Sequence, residues 1–308
     1  MTTTTWTGVL PKTSANMRKT VIWALSLLCV LACSPKKEEA KVMARAVPER
    51  SDDFVFENDL IAGRFYGEAL EGNPTSPGID IWVKLPGKLV ANEWYYHAVN
   101  EDPDYYHHDH GGKDCYKVAV SLGGGASTPF IGGELRYPAT NYRSSEVIEV
   151  TPTRVRFALE YPAWVVMEDV SVSLRKEVTV EAGSYFVDVA DYYTFPESLG
   201  QLTIAAGIKL HSAQGTVETT HQGKGCIAIW EHASDQSIEP EDGMVGVAVV
   251  ALQDNCEVCC NWDLDHALVT GTVRPGEPFR YRFGSCWSKG DIKTAEDWFA
   301  KVDEQCAR

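Results

Sequence analysis

The feature that most restricts the fold of this chain is a succession of short segments rich in β-branched and aromatic residues. Glycine, proline, asparagine or aspartate bounds each of them, as in DFVFEND, GIDIWVKLP and CYKVAVSLGGG. Such segments are typical of antiparallel strands joined by tight turns. In EVIEVTPTRVRFALEY, Val147, Val155, Phe157 and Leu159 fall on alternating positions around a Thr-Pro-Thr turn. This alternation predicts a hairpin with one buried face and one solvent-exposed face.

More than ten strand-like segments follow residue 53, and only KTAEDWFAKVDEQC near the end has helical spacing, with a Thr-x-x-Asp cap. We therefore predict an all-β fold, a large antiparallel β-sandwich with a short C-terminal helix. A supersandwich of the galactose-mutarotase type is one such arrangement. No Pro/Gly/Ser-rich seam divides residues 53–308, so these residues are predicted to form a single catalytic β-sandwich domain.

The N-terminal region has the pattern of a secretion signal. MRKTVIWALSLLCVLAC combines a basic start, an apolar run too short to span a bilayer, and a lipobox-like ending. Residues 1–33 are thus predicted to be an upstream extension and a lipoprotein signal peptide, with Cys33 as the lipidated residue. Residues 34–52 are charged and are predicted to be a flexible tether. The expected location is the outer membrane, facing the periplasm or the cell surface, with membrane contact only through the lipid anchor.

Charge excludes one class of partner. The net charge is −15, and loss of the three basic residues of the signal makes it −18. Nucleic acid is therefore not an expected partner. An acidic oligosaccharide would also be repelled at long range, so its recognition requires a local arginine or lysine pocket.

Seven cysteines follow Cys33, and in an oxidising compartment they predict a disulfide set with at least one cysteine left over. The alternative is that CEVCC forms half of a zinc site, which would require a second pair of Cys or His ligands. The seven are Cys115, Cys226, Cys256, Cys259, Cys260, Cys286 and Cys306.

The segment PDYYHHDHGGKDCYK holds His107, His108 and His110, with Asp109 among them. As a metal site it is poorly arranged, because alternate residues of an extended segment point to opposite sides unless the chain folds sharply at Gly111-Gly112. A third ligand would then come from His211, His221 or His232. We assign no metal ligand and no required cofactor, although a divalent metal stays possible.

As a proton-transfer site the same segment offers the residue types needed. A histidine can remove a proton from carbon, and a tyrosine can protonate a departing oxygen. The C5 proton of a uronic acid becomes removable when a cation or strong donors hold the charge developing on the adjacent carboxylate. The candidates for that cation are Arg64, Lys117, Arg136 and Arg143.

FENDLIAGRFYG, GIDIWVK, YHHDHGGKDCYKVAVSLGGG and AAGIKLH occur in this order before the terminal tryptophan-containing helix. In these strings the chain resembles an uncharacterised-domain family of polysaccharide-utilisation loci that includes the ulvan oligosaccharide dehydratases. The resemblance implies a carbon–oxygen lyase that removes water across C4–C5 of a non-reducing-end uronic acid. Matched to those strings, the expected roles are His107 or His110 as base, Tyr106 or Tyr116 as acid, Arg64 as carboxylate partner, and Asp114 and Glu57 as orienting groups.

Two other functions stay open. A polysaccharide β-elimination lyase would use the same acid and base, because the two reactions differ only in the group that leaves C4. A non-catalytic surface lipoprotein could bind glycans on aromatic platforms such as Trp82, Trp94 and Trp230. The substrate contacts that we predict are Arg64, Lys117, Arg143, Trp82 and Trp94.

Overall fold

The computed structural model describes residues 1–5, 7–8, 39–72, 78–211, 217–233 and 242–307. Its large folded unit is Ala40–Arg308. The predicted signal sequence from Met17 to the lipidated Cys33 lies outside the described residues. Among the helices that are described, none is both long enough and apolar enough to cross a membrane.

The described residues form three antiparallel sheets, which confirms the predicted all-β class. The first sheet contains β1 to β5 in chain order. The second has the order β13-β14-β15-β18-β11-β10-β9-β8, and the third has the order β16-β17-β12-β6-β7. The strands are β1 (Val42–Val47), β2 (Asp53–Asn58), β3 (Ala62–Phe65), β4 (Ile79–Lys84), β5 (Gly112–Asp114), β6 (Gly124–Ile131), β7 (Glu134–Leu135), β8 (Ser144–Val150), β9 (Arg154–Met167), β10 (Val170–Glu181), β11 (Phe186–Thr194), β12 (Leu202–Lys209), β13 (Val217–Gly223), β14 (Cys226–His232), β15 (Met244–Ala251), β16 (Glu257–Asn261), β17 (His266–Val273) and β18 (Phe279–Trp287).

The first and third sheets together cover the second. A parallel bridge between Ile79 and Gly123 joins the first sheet to the start of the third. Phe54 of β2 packs on Phe157 of β9 with ring centroids 4.5 Å apart. Gly125 approaches Phe283 of β18 so closely that an added Cβ atom would lie 2.3 Å from the Phe283 Cβ atom. Its φ of +135° also requires glycine, so this residue sets the spacing of the two layers.

The prediction that residues 34–52 form a flexible tether is wrong for the residues of β1. All six residues of β1 pair with β2, and Val42 and Val47 are buried. The composition predicted a solvated segment, because its charged residues outnumber its large apolar ones. Pairing with β2 and burial of these two valines nevertheless place it in the sheet as an edge strand. The sandwich therefore begins before the predicted boundary at residue 53.

The predicted hairpin around residues 151–153 is confirmed. Val155, Phe157 and Leu159 are buried, and the Thr151 hydroxyl accepts a hydrogen bond from the Arg154 amide at 2.9 Å. Val147 is 44% exposed, contrary to the prediction that it shares the buried face. Val147 lies opposite Phe157 and therefore on the same face, but β8 is the last strand of its sheet and none of its residues is buried.

Two α-helices accompany the sheets, α1 (Ala91–Asn100) and α2 (Ala295–Cys306). The C-terminal helix α2 was predicted, and the Thr294 hydroxyl accepts from the Asp297 amide at 3.2 Å as the cap motif requires. Helix α1 was not predicted. Its buried residues recur at helical spacing, Ala91, Trp94, Tyr95 and Ala98, so the prediction that only KTAEDWFAKVDEQC has this spacing is wrong.

One disulfide, Cys226–Cys306, joins β14 to α2 across 80 residues of sequence. This bond confirms for two of the seven cysteines the prediction that they form disulfides. The other five cysteines beyond Cys33 are not disulfide-bonded. Trp298 of α2 is fully buried and stacks on Phe186 with ring centroids 5.4 Å apart. The helix is thus held by a covalent bond and by an apolar contact.

Removal of this disulfide should destabilise the protein. Closure of a long loop restricts the unfolded chain, so we expect the double variant Cys226→Ala/Cys306→Ala to lose about 2–5 kcal/mol of unfolding free energy. Urea unfolding followed by circular dichroism measures the loss. Cys259→Ala is the matched control, since Cys259 is an exposed cysteine outside any disulfide. An unchanged urea midpoint in the double variant would contradict the expectation.

Candidate functional site

The segment that we call the histidine loop, residues 105–117, connects α1 to the strand β5 and continues beyond it. Asp109 folds it back, because its Oδ1 atom accepts from the amides of Gly111 at 3.0 Å and Gly112 at 3.2 Å. Gly112 has a φ of +153°, and an added Cβ atom there would lie 2.3 Å from the Val83 carbonyl oxygen. The Gly-Gly pair is thus the point at which the chain turns into the sheet.

Among the three histidines of this loop, His107 is the one whose side chain makes a hydrogen bond to a described residue. It is half-buried, and its Nδ1 atom lies 3.2 Å from the carbonyl oxygen of Asp114. A carbonyl only accepts hydrogen bonds, so Nδ1 carries the proton and Nε2 of the neutral ring is left as an acceptor. Nε2 makes no hydrogen bond to a described residue. In this tautomer Nε2 is the ring nitrogen that can act as a general base.

His108 and His110 are exposed. His110 stacks on Tyr105 with ring centroids 3.9 Å apart and planes 6° apart, and Tyr105 in turn stacks on His97 at 4.4 Å. His110 is therefore part of a column of three rings. The side chain of His108 makes no hydrogen bond or ring contact with a described residue, which makes it a natural control for its neighbours.

The two predicted tyrosine acids are both buried, each 2% exposed. Tyr116 donates toward the carbonyl oxygens of Lys209 at 3.2 Å and Gly123 at 3.3 Å, and burial raises its pKa well above the ordinary value. Both carbonyl groups compete for the Tyr116 proton, so the structure gives no support to the predicted role of Tyr116 as an acid. Tyr106 accepts a hydrogen bond from Arg50 at 2.5 Å and its ring lies 4.8 Å from that of His107. Its own proton has no acceptor among the described residues.

Arg64 does not offer a free guanidinium to a substrate carboxylate. It is 5% exposed and contacts three carboxylates, with Nε 2.7 Å from Asp80, Nη2 2.9 Å from Asp114 and Nη1 3.3 Å from Asp53. One cation among three acids repels a further anion, so the predicted role of Arg64 is wrong. These ion pairs could not be predicted from the sequence, because the three acids lie on three different strands.

The two predicted orienting residues act differently from the prediction. Asp114 orients His107 through its backbone carbonyl, while its side chain binds Arg64. Glu57 contacts no residue of the loop in the described structure. Its two oxygens accept from the amides of Val90 at 2.7 Å and Ala91 at 2.9 Å, at the N-terminus of α1. A carboxylate at this position satisfies orphan amides and the helix dipole, so Glu57 anchors the helix.

The predicted tryptophan platforms lie in the core. Trp82 and Trp94 are each 1% exposed and pack on each other at 5.5 Å, and Trp230 is 5% exposed. None of the three presents a ring face to solvent, so their predicted role in sugar stacking is wrong. Trp262, which sequence reasoning passed over, is 52% exposed. Trp82 stands in a strand between Ile81 and Val83, whereas Trp262 lies between Asn261 and Asp263, so the local sequence could have separated these two.

Of the other predicted substrate contacts, Lys117 best meets the requirement for a cation that is accessible to a substrate. It is exposed and forms no ion pair with a described residue. Arg143 is also exposed, but both of its terminal nitrogens bind Glu71, at 2.5 and 2.9 Å. This pairing lowers the pKa of Glu71 and leaves little of the guanidinium for a substrate. Lys289, which was not predicted, binds Asp109 at 2.8 Å and adds a cation beside the loop.

Sequence reasoning missed a buried pair behind the loop. His211 lies 2.7 Å from Glu231 through Nδ1 and 2.8 Å from the Lys117 carbonyl oxygen through Nε2. Both residues are buried, and burial raises the pKa of Glu231. The edge of the Tyr116 ring faces His211 at 5.1 Å. Twenty residues separate His211 from Glu231, so no local pattern reveals the pair.

A metal site at the loop finds no support among the described residues. The group that comes close enough to hold an ion is Cys226, Asp303 and Cys306, and its two cysteines are joined in the disulfide. Of the proposed third ligands, His211 is bound to Glu231 and His221 lies 2.8 Å from Asp303. His232 is exposed and neither it nor the other two belongs to a described ligand group with the loop.

The fold and this loop define a two-layered antiparallel β-sandwich with a histidine-containing candidate site at the edge of one sheet. Residues 30–308 match the family model described as "Domain of unknown function (DUF4861)", and the chain belongs to this family. The predicted membership of an uncharacterised-domain family is thereby confirmed, while the activity predicted with it stays a prediction.

One curated relative is "Uncharacterized protein P7" of Formosa agariphila, 33% identical over 218 residues. The alignment covers 68% of this chain and 51% of the relative, so the chain spans about half of that protein. Solved structures with weak similarity include heparinase III, with 10% identity, a TM-score of 0.35, and coverage of 84% of this chain and 37% of that one. A 4-alpha-glucanotransferase of Thermococcus litoralis has 10% identity, a TM-score of 0.35, and coverage of 81% and 40%. These scores are too low for any argument.

Proposed function

We propose that this protein is a carbon–oxygen lyase that removes water across C4–C5 of a non-reducing-end uronic acid in ulvan-type oligosaccharides. The observation that carries the proposal is the orientation of His107, whose Nδ1–H faces the Asp114 carbonyl and whose Nε2 is left to accept a proton. A half-buried imidazole of this tautomer in a rim loop is a suitable general base.

In the proposed step, Nε2 of His107 removes the C5 proton, and the electron pair of that bond forms the C4=C5 double bond. The C4–O bond breaks, and its oxygen leaves as water after receiving a proton. Tyr106 is one donor, because its phenol proton has no acceptor among the described residues and Arg50 stabilises charge on its oxygen. His110 is the other candidate donor, since its ring is exposed.

The carboxylate beside C5 requires a cation, and Lys117 supplies it in this proposal. Lys117 follows Tyr116 in the loop, is exposed, and has no acidic partner among the described residues. On a chain with a net charge of −15, an uncompensated cation is the local attraction that an acidic saccharide needs. Lys289 is neutralised by Asp109 and would add a second cation only if a substrate carboxylate displaced Asp109.

The proposal extends to location. A structural disulfide is typical of secreted and periplasmic proteins, so Cys226–Cys306 agrees with export of the chain and with the proposed lipid anchor at Cys33. The proposed partner is an acidic oligosaccharide, and the proposed contact with the membrane is the anchor alone.

The test is incubation of the purified protein with ulvan-derived oligosaccharides, followed by the absorbance of the unsaturated uronate and by mass spectrometry. A dehydratase yields an unsaturated product of unchanged chain length that is lighter by one water. A β-elimination lyase yields the same absorbance but cuts the chain, so the summed mass of its products equals that of the substrate. Binding without any absorbance gain would sink the enzyme proposal and favour the glycan-binding alternative.

A further inference from the structure

The outer face of the second sheet carries a cleft that shares no residue with the histidine loop. It has a volume of about 380 Å³ and runs across β9, β10, β11 and β18. Val155, Val178, Val189 and Tyr281 point into the core, so the residues that alternate with them face outward. Four arginines and two acids line the cleft: Arg154, Arg156, Arg280, Arg282, Glu177 and Asp188.

The strand register explains the shape of this cleft. Arg156 lies opposite Thr179, Thr179 opposite Asp188, and Asp188 opposite Arg282, which forms one row across the four strands. In the next row Ala190 lies opposite Arg280. Glu177 of β10 lies on the other side of Ala190. The small side chain of Ala190 leaves a depression between Glu177 and Arg280, and Tyr192 borders it.

Two of the four arginines are not neutralised. Arg154 contacts Glu181 at 3.4 Å, and Arg282 contacts Asp188 at 2.5 Å. Arg156 and Arg280 form no ion pair with any described residue, and Nε of Arg156 is buried without a hydrogen-bond partner. A buried polar atom without a partner is unfavourable unless a ligand satisfies it. The cleft therefore presents two uncompensated guanidinium groups on an acidic protein.

We propose that this cleft is an accessory binding site for an anionic saccharide, whose sulfate or carboxylate groups bind Arg156 and Arg280 while a sugar ring packs on Tyr192. Three strand spacings separate β9 from β18, about 14 Å, which suits anionic groups on sugar residues that are not direct neighbours in the saccharide. Arginine is the side chain best suited to bidentate contacts with both kinds of anion. The site would hold the polymer while the loop acts elsewhere, and its occupancy does not depend on the reaction proposed for the loop.

Isothermal titration calorimetry tests the site with three probes: a heparin-derived tetrasaccharide, trigalacturonate and neutral cellotetraose. We expect Arg156→Gln and Arg280→Gln each to weaken binding of the charged probes about three- to tenfold, and the double variant to combine the losses. A loss for the tetrasaccharide alone identifies sulfate as the anion, and a loss for both charged probes identifies carboxylate as sufficient. Cellotetraose should bind equally to all variants.

Arg274→Gln is the matched control, because Arg274 is exposed, has no ion pair with a described residue, and lies outside the cleft. Ala190→Trp fills the depression without a change in charge and should weaken binding as well. Circular dichroism establishes that each variant is folded. Unchanged affinity in the double variant, an equal loss in Arg274→Gln, or equally tight binding of a single-stranded oligonucleotide would each overturn the proposal.

Discussion

Substitution of His107 by alanine should reduce turnover of uronate oligosaccharides by about 10²–10⁴-fold, the usual contribution of a general base. The reason is the loss of Nε2, which is the accepting nitrogen of the ring because Nδ1 donates its proton to the Asp114 carbonyl. Initial rates from the absorbance of the unsaturated product measure the loss.

His108→Ala is the control for this experiment. His108 is the exposed neighbour whose side chain makes no hydrogen bond or ring contact with a described residue. We expect it to keep the wild-type rate, whereas His110→Ala tests the proposed acid. If His107→Ala retained full activity, or if His108→Ala lost as much, the assignment of the base would be incorrect. Circular dichroism of each variant excludes unfolding as the cause.

Replacement of Arg64 by methionine should have the largest effect on stability. Arg64 is buried and is the cation shared by Asp53, Asp80 and Asp114. Removal of one partner from a buried ion pair destabilises a protein by about 3–5 kcal/mol, because the other charge is left uncompensated. Urea unfolding at pH 7 measures the loss. Arg143→Gln, which breaks the exposed pair with Glu71, should cost only about 0–1 kcal/mol.

The loss at Arg64 should depend on pH. Burial raises the pKa of Asp53, and Arg64 opposes that increase. A carboxyl whose folded pKa is raised contributes stability below its unfolded pKa and loses it as pH rises through the folded pKa. Without Arg64 the pKa of Asp53 rises further, so the variant should lose more stability than the wild type between about pH 4 and pH 7. A stability difference that is constant over this range, or as small as that of Arg143→Gln, would contradict the expectation.

Local patterns predicted much of the fold. The alternation around residues 151–153 predicted the hairpin of β8 and β9, and the Thr-x-x-Asp motif predicted the start of α2. Both signals lie within a few residues of sequence, where backbone geometry and side-chain period are coupled directly. Helix α1 shows the limit, because its N-cap residue supplies no side-chain cap and its helical spacing extends over only four buried residues.

The candidate site was predicted in part. The concentration of histidines and the Gly-Gly pair located the loop in the sequence. Lys117 is exposed, and its contact with a substrate stays a prediction. The partners of Arg64 and Glu57 could not be foreseen, since each binds residues brought close by strand pairing or by the helix that packs on the sheet. His211 and Glu231 were missed for the same reason, because a pair 20 residues apart leaves no trace in local spacing.

By itself, the sequence determined the all-β class, the closing helix, the acidic charge and the position of the histidine loop, because each depends on composition or on short-range period. The tertiary structure alone decided which charged residues are neutralised. Arg64 became a buried structural cation, while Arg156 and Arg280 kept uncompensated charges on the outer face of the sheet. The physical reason is that burial and ion pairing depend on contacts between distant segments, and those contacts decide whether a charge is available to a ligand.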